Sequence, residues 1–199
     1  IETQVCRGRS FLEFAAPIIR EELGIEADDR AFSVDNLVRR SHRVARGHIR
    51  VDADEVTYAT HVLVRYELEK ALVSGALAVE DLPDAWGDTA ARLVGLRPPD
   101  DRLGCLQDIH WYDGAFGYFP SYTLGAMLAA QLYRAATEAI GALDEQIRSG
   151  DFGPLVSWLR TNVHVHGAAF GLDTLAERAT GAVLGPDAFL GHLEARYLA

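Results

Sequence analysis

The sequence predicts an all-α protein with at most a small β hairpin. Apolar side chains recur at intervals of three and four residues along most of the chain, which is the spacing that gives a helix one apolar face. Glycine and proline stand between these stretches, where they end helices. No internal repeat or low-complexity tract divides the 199 residues, so we expect a single domain over residues 1–199, built as a multi-helix array.

The first forty residues predict two helices. Residues 2–22 carry spaced apolar side chains among charges, with Pro17 as the expected kink or break and Gly24 as the end. Ser33 precedes a short amphipathic run and is expected to start the second helix. The segment GHIRVDAD lacks helical spacing, so we expect it to be extended.

The clearest helix should follow in EVTYATHVLVRYEL and end near Gly75. Asp52 is a candidate N-cap, because Glu55 lies three residues later and an apolar run follows. His61 and Arg65 are four residues apart, so they share a helix face that we expect to be solvated. A shorter helix is expected in LPDAWGDTAARLVGL, which prolines flank on both sides.

The second half of the sequence predicts one long helix and three short ones. Leu124, Leu128 and Leu132 are spaced by four residues, so the long helix should run from about Tyr122 toward Arg148. The short helices are expected in FGPLVSWLRTN, GLDTLAERATG and PDAFLGHLEARYL, the first two separated by the polar turn VHVHG.

The charge and composition exclude several classes of partner. The net charge is -10, with 29 acidic against 19 basic residues, whereas a protein that binds nucleic-acid phosphates needs a basic face. No segment approaches the roughly 18 uninterrupted apolar residues of a membrane span. Cys6 and Cys105 form no CxxC pair and are expected to be small buried side chains. No signal peptide precedes Ile1, although a chain without an initial Met could have lost an upstream segment, and we expect a cytoplasmic location.

The segment GCLQDIHW concentrates hydrogen-bonding groups in a chain rich in alanine and leucine. His110 could donate a hydrogen bond to a developing oxyanion, while Asp108 or Gln107 could orient neighbouring groups. Tyr118 and Tyr122 follow a loop whose glycines would allow the backbone to fold back toward His110. A buried, hydrogen-bonded structural histidine is the alternative, and the residues alone leave both open.

Arg50 lies just before the clearest helix, where its side chain could be presented into a cleft. The planar guanidinium suits bidentate pairing with a carboxylate. The alternative is that Arg50 pairs with Asp52 or Asp54 and only fixes the turn.

His164 and His166 suggest a metal site, but residues two apart do not share a helix face and no third ligand is evident nearby. Capping or loop packing is therefore the favoured role for both. The sequence lacks HExxH, GxSxG and a P-loop, which argues against serine chemistry of the hydrolase fold and against nucleotide binding.

Taken together, these segments resemble the carboxypeptidase Taq family of zinc-dependent metallocarboxypeptidases. Residues 49–72 match the family's IRxxAD motif, the EVTY that follows it and a helix of the H-x-L-x-R-x-E-x-E type. GCLQDIHW matches its GxxQDxHW motif, and GYFPSYTLG matches its GYFPxYTLG motif. The VHxHG turn and the final helix also match, so the resemblance spans essentially the whole chain.

The resemblance implies roles for the candidate residues along one wall of a peptidase cleft. Arg50 would clamp the free C-terminal carboxylate of a peptide substrate. His110, together with Tyr122 and Tyr118, would donate to the tetrahedral oxyanion, and Asp108 would orient His110.

The resemblance also implies what this chain lacks. In the family, zinc is bound by an HExxH helix and a later Glu, both N-terminal to the point that Ile1 matches. Zinc lowers the pKa of a bound water, and the Glu of HExxH takes its proton before attack on the last peptide bond. We therefore expect no metal on this chain alone, a missing N-terminal half as its partner, a homodimer, and an inactive fragment. The alternative is a catalytically silent helical binding or dimerisation module descended from the family.

Overall fold

The computed structural model describes residues 1–198, and among these it contains nine α-helices and no strand, so the all-α prediction is confirmed. None of the described helices combines the length and apolar character needed to cross a membrane. The helices, labelled in chain order, are α1 (Arg9–Leu23), α2 (Val34–Ser41), α3 (Glu55–Val73), α4 (Leu82–Leu93), α5 (Pro120–Ile140), α6 (Leu143–Ser149), α7 (Gly153–Asn162), α8 (Leu172–Thr180) and α9 (Asp187–Tyr197).

The chain divides into two compact units. One comprises residues 1–43 with the residues from Ala126 onward, and the other comprises Val44–Gly125. Helix α5 begins in the second unit and ends in the first. The expected single domain over residues 1–199 stays a prediction.

The first unit packs α1 against α2 and α6. Val5, Leu143 and Ile147 are buried together in its core. A kink or a break is expected at Pro17; helix α1 continues through this residue, so a break is wrong, and the kink stays a prediction. Proline removes one backbone N–H donor, and buried Leu12 and Ala16 anchor the helix on the turns around that position.

The predicted long helix is also shorter than expected. Helix α5 ends at Ile140, and α6 begins at Leu143. Gly141 between them has a φ of 80°, a left-handed conformation that ends a helix and that glycine adopts without steric cost. The predicted continuation toward Arg148 is therefore two helices rather than one.

The second unit is built on the packing of α3 against α4. Val64 and Leu68 of α3 are buried with Trp86 and Ala90 of α4, and Cys105 completes this core. Both cysteines are expected to be buried. This expectation is confirmed for Cys105, whereas Cys6 is partly exposed.

The N-cap of α3 is Asp54 rather than the predicted Asp52. The Asp54 carboxylate accepts hydrogen bonds from the backbone N–H groups of Val56 and Thr57, at 3.0 and 2.9 Å. Asp52 cannot take this role because Arg50–Asp52 forms a 3₁₀ turn, where an extended segment was expected. This turn brings Arg50 into the second unit's candidate site.

Candidate functional site

The candidate site lies entirely within the second unit, Val44–Gly125. It is formed by the turn that carries Arg50, by one face of α3, and by residues 105–122. That last segment begins with two 3₁₀ turns, Cys105–Gln107 and Ile109–Trp111, and ends in the first turn of α5.

Arg50 is held by three polar contacts. Its Nε donates to Oδ1 of Asp108 at 3.0 Å, and its Nη1 donates to the hydroxyl of Tyr58 at 3.0 Å. Its backbone N–H donates to Oε1 of Gln107 at 2.8 Å. Gln107 in turn donates to the carbonyl of His48 at 3.0 Å, which fixes the turn against the GCLQDIHW segment.

The alternative in which Arg50 pairs with Asp52 or Asp54 is wrong. The carboxylate of Asp54 is occupied at the start of α3, where it also accepts from the backbone N–H of Ala45 at 2.8 Å. The ion pair of Arg50 is with Asp108, 58 positions away in the sequence.

The charge of Arg50 is maintained despite its burial. Burial lowers the pKa of Arg50, but attraction to Asp108 and the hydrogen bond to Tyr58 outweigh it and raise the pKa overall. The guanidinium carbon lies 5.0 and 5.4 Å from the ring centroids of Phe119 and Tyr122. Nη2 forms no hydrogen bond to any residue of 1–198.

His110 lies in a cluster of aromatic side chains. Its Nε2 is 3.2 Å from the hydroxyl of Tyr122, and its ring stacks on that of Tyr118 with centroids 5.7 Å apart. The ring of Phe119 contacts it edge-on at 4.8 Å. Burial, followed by the neighbouring Tyr118, raises the pKa of Tyr122, so the phenol keeps its proton and can donate.

The structure brings together Arg50, Asp108, His110, Tyr118 and Tyr122 in one cluster, but it corrects one relationship among them. Asp108 does not orient His110: its carboxylate binds Arg50 and faces Arg65 instead. The second ring nitrogen of His110, Nδ1, is buried without a hydrogen-bond partner among residues 1–198.

Sequence reasoning missed the buried ion pair on α3. Arg65 has no exposed surface, and its Nε donates to Oε2 of Glu69 at 3.2 Å. The expectation that His61 and Arg65 form a solvated face is therefore wrong, since both are buried. The spacing of Arg65 and Glu69 by four residues is typical of a helical ion pair, but spacing does not reveal burial.

The described residues provide no ligand set for zinc. Across residues 1–198, no group of three or more His, Cys, Asp or Glu side chains is arranged to hold a metal ion. His164 and His166 lie in a 3₁₀ turn, where the ring of His166 packs on that of Phe170 with centroids 5.2 Å apart.

Comparison with known proteins identifies the family. The family model described as Carboxypeptidase Taq (M32) metallopeptidase matches residues 1–197. The chain belongs to the carboxypeptidase Taq family. This family consists of metallopeptidases that act as carboxypeptidases.

Two curated relatives are carboxypeptidases. The chain is 40% identical over 198 residues to thermostable carboxypeptidase 1 of Thermus thermophilus, covering 100% of this chain and 38% of the relative. It is 41% identical over 165 residues to carboxypeptidase 1 of Bacillus subtilis, covering 83% of this chain and 33% of the relative. The chain thus spans well under half the length of the carboxypeptidase Taq relatives it matches.

Two solved structures share the fold closely. Metallocarboxypeptidase 1 of Trypanosoma cruzi has a TM-score of 0.93 and 41% identity, covering 98% of this chain and 41% of that chain. The carboxypeptidase of Pyrococcus furiosus has a TM-score of 0.91 and 34% identity, covering 97% of this chain and 38% of that chain.

Proposed function

We propose that this chain supplies the substrate-carboxylate and oxyanion contacts of a zinc-dependent carboxypeptidase that removes C-terminal residues from peptides. One observation carries the proposal: Arg50 and His110 converge on Tyr122. The guanidinium carbon of Arg50 is 5.4 Å from the Tyr122 ring centroid, and the hydroxyl of the same ring is 3.2 Å from Nε2 of His110. A cation for a carboxylate and two donors for an oxyanion are thus adjacent.

Arg50 is the proposed clamp for the free carboxylate of the substrate. Asp108 and Tyr58 engage Nε and Nη1, so these contacts orient the guanidinium without using all of its donors. A peptide with a C-terminal amide lacks the charge that this cation attracts, so the clamp would select exopeptidase substrates.

Tyr122 and His110 are the proposed oxyanion donors. The raised pKa of Tyr122 keeps its hydroxyl protonated, and the contact with His110 fixes where that hydroxyl points. Donors fixed before the reaction stabilise developing negative charge without reorganising. Tyr118 stacks on His110 and is proposed to hold that ring and to contribute a further donor.

The zinc ligands and the general base are proposed to come from a segment outside these residues that carries HExxH. Zinc, when bound there, supplies an activated water. The relatives are more than twice as long as this chain, which is consistent with such a segment. We accordingly propose that residues 1–199 are inactive alone, and that the complete protein is a cytoplasmic homodimer.

An assay on the polypeptide that contains these residues, prepared with zinc, tests the function. It should release the terminal residue of an N-blocked peptide with a free carboxylate and leave the matching C-terminal amide intact. Zinc-loaded protein that cleaves no peptide acid would favour the silent binding module instead. Sedimentation of the same preparation measures its oligomeric state.

Substitutions then test the individual roles. Arg50→Ala should lower kcat/KM on the peptide acid by roughly 10- to 100-fold, since a hydrogen bond to a charged group is worth about 1.5–3 kcal/mol. Arg92→Ala, at an exposed arginine of α4, is the matched control. Unchanged kcat/KM in Arg50→Ala would remove it from the clamp.

His110→Ala and Tyr122→Phe should each lower kcat by about 10²- to 10³-fold, the usual cost of one oxyanion donor. The peptide acid used for the Arg50 variants serves for these variants too. Normal kcat in both variants would remove these residues from the oxyanion site.

A further inference from the structure

We infer that Arg65 and Glu69 are positioning residues that join the carboxylate clamp to the oxyanion donors through one buried ion network. The inference rests on the proposed function, because it takes the roles of Arg50, His110 and Tyr122 from there. It adds two buried side chains of α3 for which no direct contact with the peptide is proposed, and it assigns them the task of holding the groups that make those contacts.

The first link in the network is a carboxylate shared between two arginines. Asp108 is 3% exposed; its Oδ1 accepts from Nε of Arg50 at 3.0 Å, and its Oδ2 lies 3.6 Å from Nη1 of Arg65. In a buried setting an ion pair is screened little by solvent, so the position of Arg65 influences how firmly Asp108 holds Arg50.

The second link runs through Glu69 to the aromatic loop. Oε2 of Glu69 accepts from Nε of Arg65 at 3.2 Å, and Oε1 accepts from the backbone N–H of Gly117. Gly117 has a φ of 77°, and the two residues after it are Tyr118 and Phe119. Glu69 therefore fixes the backbone turn from which the rings beside His110 project.

Ring packing closes the network. The guanidinium carbon of Arg65 is 3.1 Å from the Trp111 ring centroid and 4.6 Å from that of Phe119. Phe119 has no exposed surface, and it also contacts the ring of His110 and the guanidinium of Arg50. Displacement of Arg65 would be transmitted to both halves of the site through this ring.

The charges of the network balance, with two guanidinium groups against two carboxylates. When Glu69 loses its charge, Arg65 loses its own carboxylate partner. Asp108 is then the one carboxylate left in the network, and Arg50 and Arg65 compete for it. Burial lowers the pKa of Arg65, and the carboxylates of Glu69 and Asp108 oppose that effect. Such a buried pair adds little to stability compared with apolar residues of equal volume, which favours a positioning role.

Glu69→Gln tests the inference, because it keeps the shape of the side chain and removes its charge. In the polypeptide that contains these residues, we expect kcat/KM on a peptide acid to fall by about 100-fold, the scale of a displacement near 1 Å. Glu67→Gln, at an exposed glutamate two positions away on α3, should stay within about twofold of wild type. In an Arg50→Ala background the further loss caused by Glu69→Gln should shrink, since part of its effect acts through Arg50.

A spectroscopic readout separates this inference from the proposed function. In the same polypeptide labelled with ¹⁵N, Glu69→Gln should shift both the Arg50 Nε–H resonance and the Gly117 amide resonance, whereas Glu67→Gln should shift neither. If Gly117 shifts but Arg50 does not, the positioning role is overturned even when the peptidase assay succeeds. If both shift but no peptide is cleaved, the network stands and the proposed function fails.

If Glu69→Gln does not fold, the double substitution Arg65→Met with Glu69→Leu removes both charges at nearly constant volume. The folded double variant should lose about as much activity on the peptide acid as Glu69→Gln is expected to lose. Wild-type kcat/KM in this variant, with an unshifted Arg50 Nε–H, would overturn the inference.

Discussion

The guanidinium carbon of Arg65 lies 3.1 Å from the ring centroid of Trp111. The side chain of Arg65 has no exposed surface. The indole N–H of Trp111 donates to the carbonyl of Cys105 at 2.7 Å, so the ring is fixed from its other edge. A buried cation stacked on a fixed aromatic ring gains a favourable electrostatic contact in place of water. This contact anchors the GCLQDIHW segment to α3.

Asp108→Asn should destabilise the fold strongly. The carboxylate faces two buried guanidinium groups, and breaking a buried ion pair from one side costs about 3–5 kcal/mol. Denaturation in urea measures the loss. Asp84→Asn removes one partner of an exposed pair with Arg97 and should change the unfolding free energy by no more than about 1 kcal/mol. Equal effects of the two substitutions would contradict the burial argument.

The stability of the protein should fall as the pH is lowered below about 6.5, in part through His61. Burial, followed by the charge of Arg50, lowers the pKa of His61 below its ordinary value of 6.5. The unfolded chain therefore binds a proton more readily than the folded one, so stability is present above pH 6.5 and is lost as the pH falls toward the lowered pKa.

Urea denaturation between pH 5 and 8 measures this dependence. His61→Gln should flatten the slope below pH 6.5 relative to the wild type. An identical slope in His61→Gln and the wild type would rule out His61 as a source of the pH dependence.

Asp54→Ala should cost about 1–2 kcal/mol of stability, because it removes the N-cap of α3. The contact of the same carboxylate with the N–H of Ala45 would be lost as well. Asp52→Ala is the comparison, since Asp52 is exposed and caps no helix among residues 1–198; its effect should be within about 0.5 kcal/mol. Thermal denaturation of the two variants side by side decides which aspartate is the cap.

Two glycines should respond to alanine with opposite signs. Gly117 has a φ of 77°, so Gly117→Ala should destabilise by about 1–2 kcal/mol through backbone strain. Gly125 lies within α5, and a Cβ there meets no atom within 4 Å, so Gly125→Ala should stabilise by up to about 1 kcal/mol. A steric clash of the added Cβ cannot explain a difference in stability between the two variants, because a Cβ at Gly117 also meets no atom within 4 Å. Destabilisation of equal size at both positions would argue against the strain explanation.

The helical fold was predictable because it depends on local periodicity. The errors lie where one residue changes the outcome of an otherwise regular pattern. Gly141 ends α5 within an apolar stretch, and Pro17 is accommodated within α1 because buried neighbours anchor that helix. The displacement of the cap from Asp52 to Asp54 has a similar origin, since the 3₁₀ turn before α3 follows from the contacts of Arg50.

For the candidate site, the sequence predicts several of the residues that lie together but not the contacts between them. Motif resemblance identified Arg50, His110 and Tyr122, but their roles stay proposals. The resemblance implies that Asp108 orients His110, but motif matches do not show contacts, and the carboxylate binds Arg50, 58 positions away. The buried ion pair of Arg65 with Glu69 could not be predicted. A row of polar residues on a helix is the same in the sequence whether that face is exposed to water or buried against an opposite charge.

Arg50, His110 and Tyr122 all come from one uninterrupted stretch, Val44–Gly125. Gene recombination with breakpoints outside this stretch would transfer the guanidinium of Arg50, the imidazole of His110 and the ion pair of Arg50 with Asp108 as a block. Descendants of such an exchange could diverge freely elsewhere and still inherit the same spatial relation between cation and ring.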